Sequence, residues 1–553
     1  MVLPPSPSRQ FARERSISRS EYPQALVAAT QQNKRERHWW TSALAGFLLL
    51  VTPLVVFLRF QDYSLLRPES IATLAILGLL GAFFGLAMEI FGAWSRALMF
   101  SMLITLTVDI QSTSPDRLRL LLIVFVVSFS LTGLLRDLLP RWGSALLIVS
   151  FLLSCFGPSS KNVLGIDADR VASPGDPELP VIVHLVLDEH IGVEGIPEEF
   201  DQQGHYARAL RETYLKHDFR VFGRAFSRFY NTYNTIPNMF NYDTPTKTRA
   251  YVNRRGNDWY LTENAYFNEM SARGYAIHVF QSKYLDYLSK PDSVVVDWGW
   301  TFDPERLTLI QGMPLSALEK ARSILGMYSR LSSMAEPLNL PVSQTTPVAT
   351  LPALDLVRDK VIEADPGTLF FAHLLLPHGP YGLTSDCEIR PAPTKWLSSS
   401  DPAMAPRRNN KGSRFMRYPL YLQQLECLLQ RIDDFLLALE ESPQGDNIIV
   451  VVHGDHGSRL DCGPPEHKLV SKLARSDWAD GFSTLFAIKH PNVPAGYDRR
   501  AIAIDEIFFS VVHDDSIPGG SEWFENPEVY LEQRNSLKPH PLPPFERSLD
   551  DDL

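Results

Sequence analysis

The chain has 553 residues, of which 45% are hydrophobic and 21% charged, with 63 acidic against 53 basic side chains. That composition excludes a disordered, collagen-like or low-complexity protein, and the acidic balance argues against nucleic acid as a partner, which calls for basic patches. Four Cys in such a length exclude a disulfide-built scaffold. Cys155 lies in an apolar run, so at most one bridge forms among Cys387, Cys427 and Cys462, and the sequence leaves the pairing open.

In chain order the first feature is a basic tail, residues 1–38, with Arg9, Arg13, Arg15, Arg19, Lys34, Arg35 and Arg37. Apolar runs follow at 39–58, 70–88, 97–108, 120–135 and 142–160. Most approach the roughly 20 residues needed to cross a bilayer. We expect five spans, with four as the alternative, because the 97–108 run is short and Asp109 interrupts its end. Clustered cations hold the N-terminus in the cytoplasm, and an odd number of spans then puts the rest of the chain outside. Glu89 and Asp109 are the only acids within these runs, and both sit near run ends, so residues 39–160 read as an anchor rather than a transport path.

Residues 161–179 are rich in Gly, Pro and Asp and read as a linker. Of the 14 His, only His38 precedes position 180. Three apolar runs in the soluble block suit strands buried on both faces. The first, 180–187, ends in Asp188-Glu189-His190; the second, 368–376, ends in Pro377-His378-Gly379-Pro380-Tyr381; the third, 447–452, ends in His453-Gly454-Asp455-His456-Gly457. The 421–439 stretch repeats apolar residues at helical spacing. Alternating strands and helices predict an α/β domain over 180–525, and sites in such sheets form beyond the carboxyl ends of strands. The Pro-rich, acidic tail 526–553 reads as peripheral.

Asp455 and His456, adjacent and between two Gly, offer an oxygen and a nitrogen ligand to one cation. Asp188 and Glu189 end a strand in the same manner, and because neighbours on a strand point to opposite faces, we expect one to bind and the other to support it, with Glu189 the ligand. Thr232 precedes a helix in Asn231-Thr232-Tyr233-Asn234-Thr235-Ile236-Pro237, where unpaired N–H groups favour an alkoxide or phosphate. Read on their own, these residues also fit an ordinary helix cap. His373, His378 and His467 are candidates for a second metal or for the transferred anionic group.

The order strand–DE, T-x-x-T-x-P, H-x-x-x-x-H-G-P-Y, strand–HGDHG and a downstream His resembles the alkaline phosphatase superfamily in its sulfatase-like branch. More closely, the layout resembles bacterial membrane-anchored phosphoethanolamine and phosphoglycerol transferases, including lipoteichoic acid synthases. The resemblance covers roughly residues 40–510. It implies an N-terminal all-α transmembrane bundle of about five helices, followed by an extracytoplasmic α/β sulfatase-like domain with a mixed central sheet flanked by helices. Carried over by motif, Glu189, Asp455 and His456 match the ligands of the main metal, with Asp188 beside them. Thr232 matches the nucleophile and a further ligand, His378 a substrate or second-metal His, and His467 the downstream His; His373 joins them as a substrate-binding candidate. The implied cofactor is one or two divalent ions, Zn²⁺ or Mn²⁺. The implied partners are a membrane lipid donor and a glycan or lipid acceptor, at the bacterial inner membrane. A sulfatase of the formylglycine type needs C/S-x-P-x-R at the nucleophile; Thr232 in that place points to phosphoryl rather than sulfuryl chemistry. Hydrolysis of the same esters, or a non-catalytic membrane regulator of this fold, are the alternatives.

Overall fold

The structure, a computed structural model, describes residues 21–60, 63–91, 93–111, 117–135, 144–156, 175–255, 258–282, 284–288, 295–302, 315–330, 346–390, 410–463, 465–513, 527–545 and 547. The chain divides into two compact units, Met1–Ser159 with Tyr328–Leu338, and Ser160–Met327 with Asn339–Leu553. Most of the expected linker, and the acidic end of the chain, lie outside the described residues.

Each of the five apolar runs carries a helix: α1 (Glu21–Phe60), α2 (Pro68–Phe91), α3 (Ala93–Gln111), α4 (Arg117–Leu134) and α5 (Ser144–Phe156). Among the described residues, two stretches are long and apolar enough to cross a membrane, Trp39–Arg59 and Pro68–Ala87, while Leu118–Leu134 is apolar but shorter. The described part of α5 has 13 residues, and α3 carries Asp109 buried near its end. Helices α1 and α2 meet through small residues four apart. A Cβ on Gly81 would lie 2.2 Å from the Gly46 carbonyl oxygen, and one on Gly85 would lie 2.1 Å from that of Ser42. Such spacing lets two backbones approach closely where no water drives association. Beside this seam the Ser42 hydroxyl donates to Glu89 at 2.7 Å.

The second unit begins with β1 (Val181–Leu187), α6 (His205–Leu215), β2 (Arg220–Phe222) and α7 (Thr232–Phe240). Then follow β3 (Val252–Arg255), β4 (Asp258–Leu261), α8 (Ala265–Ala272), β5 (Ala276–Ser282), β6 (Leu285–Asp286) and β7 (Trp298–Phe302). Next come α9 (Ala317–Arg330), α10 (Thr346–Ile362), β8 (Thr368–Leu374), α11 (Lys411–Glu440) and β9 (Ile448–Gly454). The unit ends with α12 (Arg475–Phe482), β10 (Phe486–Lys489), β11 (Gly496–Asp498), α13 (Ile504–Val512), β12 (Glu528–Gln533) and β13 (Ser536–Pro541).

The central sheet has the order β11-β2-β10-β9-β1-β8-β5-β7. All neighbouring pairs are parallel except those of β10, which runs against both β9 and β2. The expected mixed sheet is therefore present. The three apolar runs singled out in the sequence are its middle, and β1 and β8 are buried along their whole length. That burial is why they read as unbroken hydrophobic stretches rather than alternating ones. One disulfide, Cys387–Cys427, ties the loop after β8 to α11 and resolves the pairing that the sequence left open.

The tail differs from expectation. Strands β12 and β13 form a hairpin whose Val529, Leu531 and Leu537 are buried; Val529 and Leu531 pack in one cluster with Phe226, Trp478 and Phe482. Alternating apolar residues in a Pro-rich segment gave it a buried face that composition alone conceals.

Candidate metal and nucleophile site

Strands β9, β1 and β8 lie side by side and parallel, with Leu187 opposite both Gly454 and Leu374. Their carboxyl ends therefore share one edge, and the residues just beyond them, Asp188, Asp455 and His378, converge there. The register makes this unavoidable once the strands pair.

Thr232 is the first residue of α7, and Asn231 caps it by accepting the Asn234 N–H at 3.1 Å. The Thr232 hydroxyl donates to Asp455 Oδ2 at 2.6 Å and lies 3.4 Å from His456 Nε2. Thr232 is 1% exposed. It is thus placed at a helix N-terminus, where the dipole favours negative charge on its oxygen. The cap role belongs to Asn231.

Asp455 Oδ1 accepts the N–H groups of Glu189 (3.1 Å) and His456 (3.0 Å), and Oδ2 lies 3.1 Å from His456 Nε2. Burial pushes this carboxyl up, but the charge and hydrogen bonds of His456, with His373 and Thr232, outweigh burial and hold it well below the usual carboxylate range. It is ionised at neutral pH.

Glu189 departs from the extended backbone expected of it. Its φ is 61°, left-handed backbone that a non-glycine residue rarely adopts. The turn breaks the strand alternation on which the choice of Glu189 over Asp188 rested, and both side chains face the site. One ligand atom from each of Asp188, Asp455 and His456 lie within 4.8 Å of one another, and so do those of Asp188, Glu189 and His378. Asp188 is common to both groups, and Glu189, the expected ligand, belongs to the second, its Oε1 3.5 Å from His378 Nε2.

The donor set fits a divalent cation. Asp188, Glu189 and Asp455 are three buried carboxylates, and Asp188 Oδ1 and His373 Nε2 are buried without a hydrogen-bond partner among the described residues. His373 Nε2 is 3.6 Å and His456 Nε2 3.8 Å from Asp188 oxygens, too far for hydrogen bonds and suited to a shared ion between them. Mixed carboxylate and imidazole donors suit Zn²⁺ or Mn²⁺.

The other expected His residues separate into distinct places. His378 stays partly exposed at the mouth of the site; burial lowers its proton affinity, but Glu189 and Asp188 raise it further, for a net rise. His467 begins the short turn His467–Lys472, and its side chain lies outside the described residues. His453 and His190, which flank the acids, are core residues whose proton affinity burial pushes down to about 4. His453 Nε2 faces His184 Nε2 at 2.8 Å inside the sheet.

Several residues were missed by sequence reasoning. Tyr421 of α11 accepts the Ile191 N–H (3.0 Å) and donates to the Glu189 carbonyl (2.8 Å), bracing the left-handed turn. Gln424 donates to the carbonyls of Pro377 (3.0 Å) and His378 (3.1 Å). Tyr418 donates to Asp480, which also accepts from Ser458 (3.1 Å) and Arg414 Nε (3.0 Å), next to the turn that carries Asp455 and His456. Tyr418, Tyr421, Gln424 and Cys427 recur every third residue, a polar stripe on an otherwise apolar face, and that spacing was a readable signal. Glu532 of β12 accepts from Asn231 (2.9 Å) and Asn234 (3.0 Å) at the start of α7. No local pattern could have revealed a contact across 301 residues.

No family model matches the chain, and no curated protein matches it. Solved structures do match. The C-terminal periplasmic domain of EptC from Escherichia coli is 15% identical, with 66% of this chain and 96% of that chain covered and a TM-score of 0.36. A phosphonate monoester hydrolase from Silicibacter pomeroyi is 14% identical, covering 64% and 79%, at 0.39. A 2-O GAG sulfatase is 13% identical, covering 64% and 78%, at 0.38. At identities and scores this low, the functional reading rests on the geometry of the site.

Proposed function

We propose that the protein is a membrane-anchored, metal-dependent transferase that moves a phospho-head group, of the phosphoglycerol or phosphoethanolamine type, from a lipid donor to an extracytoplasmic glycan or lipid acceptor. The observation that carries this reading is the Thr232 hydroxyl at a helix N-terminus, 2.6 Å from Asp455 Oδ2 and beside the Asp188–Asp455–His456 group. Two helices long and apolar enough to cross a membrane support an anchor; the proposal takes it as multi-pass, with four or five spans in a bacterial inner membrane, where a lipid donor is at hand.

Asp188, Asp455 and His456 would hold the divalent ion, which when bound lowers the pKa of a neighbouring hydroxyl and neutralises charge on phosphoryl oxygens. The Thr232 hydroxyl, held by its short hydrogen bond to the ionised Asp455 Oδ2, gives its proton to solvent as its oxygen attacks phosphorus. The phosphorus–glyceryl oxygen bond breaks, and His378, at the mouth of the site, hands a proton to the departing diacylglycerol. A phospho-Thr remains. The acceptor hydroxyl then gives its proton to His378 and takes the phosphoryl group, and Thr232 regains a proton from solvent. His373, whose Nε2 lies 3.6 Å from Asp188 Oδ2, would offer a further imidazole beside the ion.

The test is to incubate the purified protein with a phospholipid donor and digest it for mass spectrometry. A head-group phosphate on Thr232 is expected, absent in Thr232→Ala, along with loss of diacylglycerol release to background. Full turnover by Thr232→Ala would overturn the assignment.

A further inference from the structure

Three residues beyond His456, Arg459 also adopts left-handed backbone, at φ 54°. Arginine has no short polar side chain to favour that conformation, which persists only where surroundings enforce it. Here they do. The Arg459 N–H donates to the Asp480 carbonyl at 2.8 Å, and the Asp480 carboxylate is itself fixed by Arg414, Tyr418 and Ser458. The strained turn aims the side chain back toward the metal group. Its guanidinium carbon lies 5.0 Å from the centre of the Tyr230 ring, and that ring is stacked on His456 at 6.4 Å. Nη1 is 3.8 Å from Glu189 Oε1, a loose ion pair rather than a hydrogen bond.

The cation is therefore held between Tyr230, two residues before Thr232, and Glu189, which sits beside His378. Its side chain is 32% exposed, whereas Asp188 and Asp455 are almost fully buried. It stands at the entrance, where an arriving anion meets the site. We propose that Arg459 is the residue that binds the non-bridging oxygens of the phosphoryl group. Its planar fork can grip two of those oxygens at once, and the incoming group replaces the loose contact with Glu189. This rests on the phosphoryl-transfer reading of the site. It assigns substrate discrimination to Arg459: a group with two anionic or strongly accepting oxygens is held, and a neutral ester is not.

The test is a calorimetric titration of the full chain, in detergent and loaded with Zn²⁺, with inorganic phosphate. Arg459→Met, which keeps an aliphatic stem over Tyr230, is expected to bind phosphate about tenfold more weakly or worse with its metal content unchanged. Arg459→Lys, a charge without the fork, is expected to fall between, and it serves as the reporter if the Met variant fails to fold. Phosphate affinity unchanged in both variants overturns the role of Arg459 alone. No phosphate binding by the Zn²⁺-loaded wild-type protein overturns the phosphoryl reading and Arg459 with it.

Discussion

At the scale of single residues, Glu189 and Arg459 share one device, a non-glycine residue held in left-handed backbone at the rim of the site. Each trades stability for aim. Replacing Glu189 by Gly or by Ala removes the same carboxylate, yet only Gly relaxes the backbone. Glu189→Gly is therefore expected to be about 1 kcal/mol more stable than Glu189→Ala in thermal or chemical melts, although both lose activity. Equal stability would show that the turn is unstrained. The sequence exposed Asp188, Thr232, Asp455 and His456 because each stands at a strand end or a helix start. It did not show that Asp188 and Glu189 both face the site, because an alternation rule holds only while the backbone stays extended, and Glu189 ends that extension.

At the scale of elements, one face of α11 braces the site. The Tyr421 hydroxyl bridges the Ile191 N–H and the Glu189 carbonyl. Tyr421→Phe leaves both groups buried without that partner and is expected to cost about 1–3 kcal/mol, with a parallel loss of metal affinity. Unchanged metal affinity in a destabilised variant would mean that α11 supports the fold but not the site. At the sheet edge, Asp498 of β11 accepts from Arg220 of β2 at 3.0 Å, and also from Arg500. Burial pushes the Asp498 carboxyl up, but its hydrogen bonds with Arg500 and Arg220 outweigh burial and bring it below the ordinary range. Its stabilisation is therefore present above the unfolded carboxylate pKa and is lost as pH falls through the lower folded value. Asp498→Asn is expected to be less stable than wild type at pH 7, with the gap closing below about pH 4. A gap that persists in acid would assign the effect to packing instead.

At the scale of the whole molecule, an apolar helical segment precedes a domain that bears 13 of the 14 His. If the anchor crosses an odd number of times from a cytoplasmic basic tail, protease added to spheroplasts cuts the domain from outside. Protection of the domain would require an even number of crossings. The sequence by itself determined that apolar helices precede an α/β domain, the three central strands, and the acids and imidazoles at their ends. Hydrophobic run length and strand-end chemistry are local, and local patterns survive in one dimension. Only the tertiary structure decided that Asp188 serves both ligand groups, that Cys387 pairs with Cys427, that α11 braces Glu189, and that Glu532 reaches the start of α7. Those relations depend on how a left-handed turn, a helix face and a distant hairpin meet in space, and contact between residues hundreds of positions apart leaves no periodic trace along the chain.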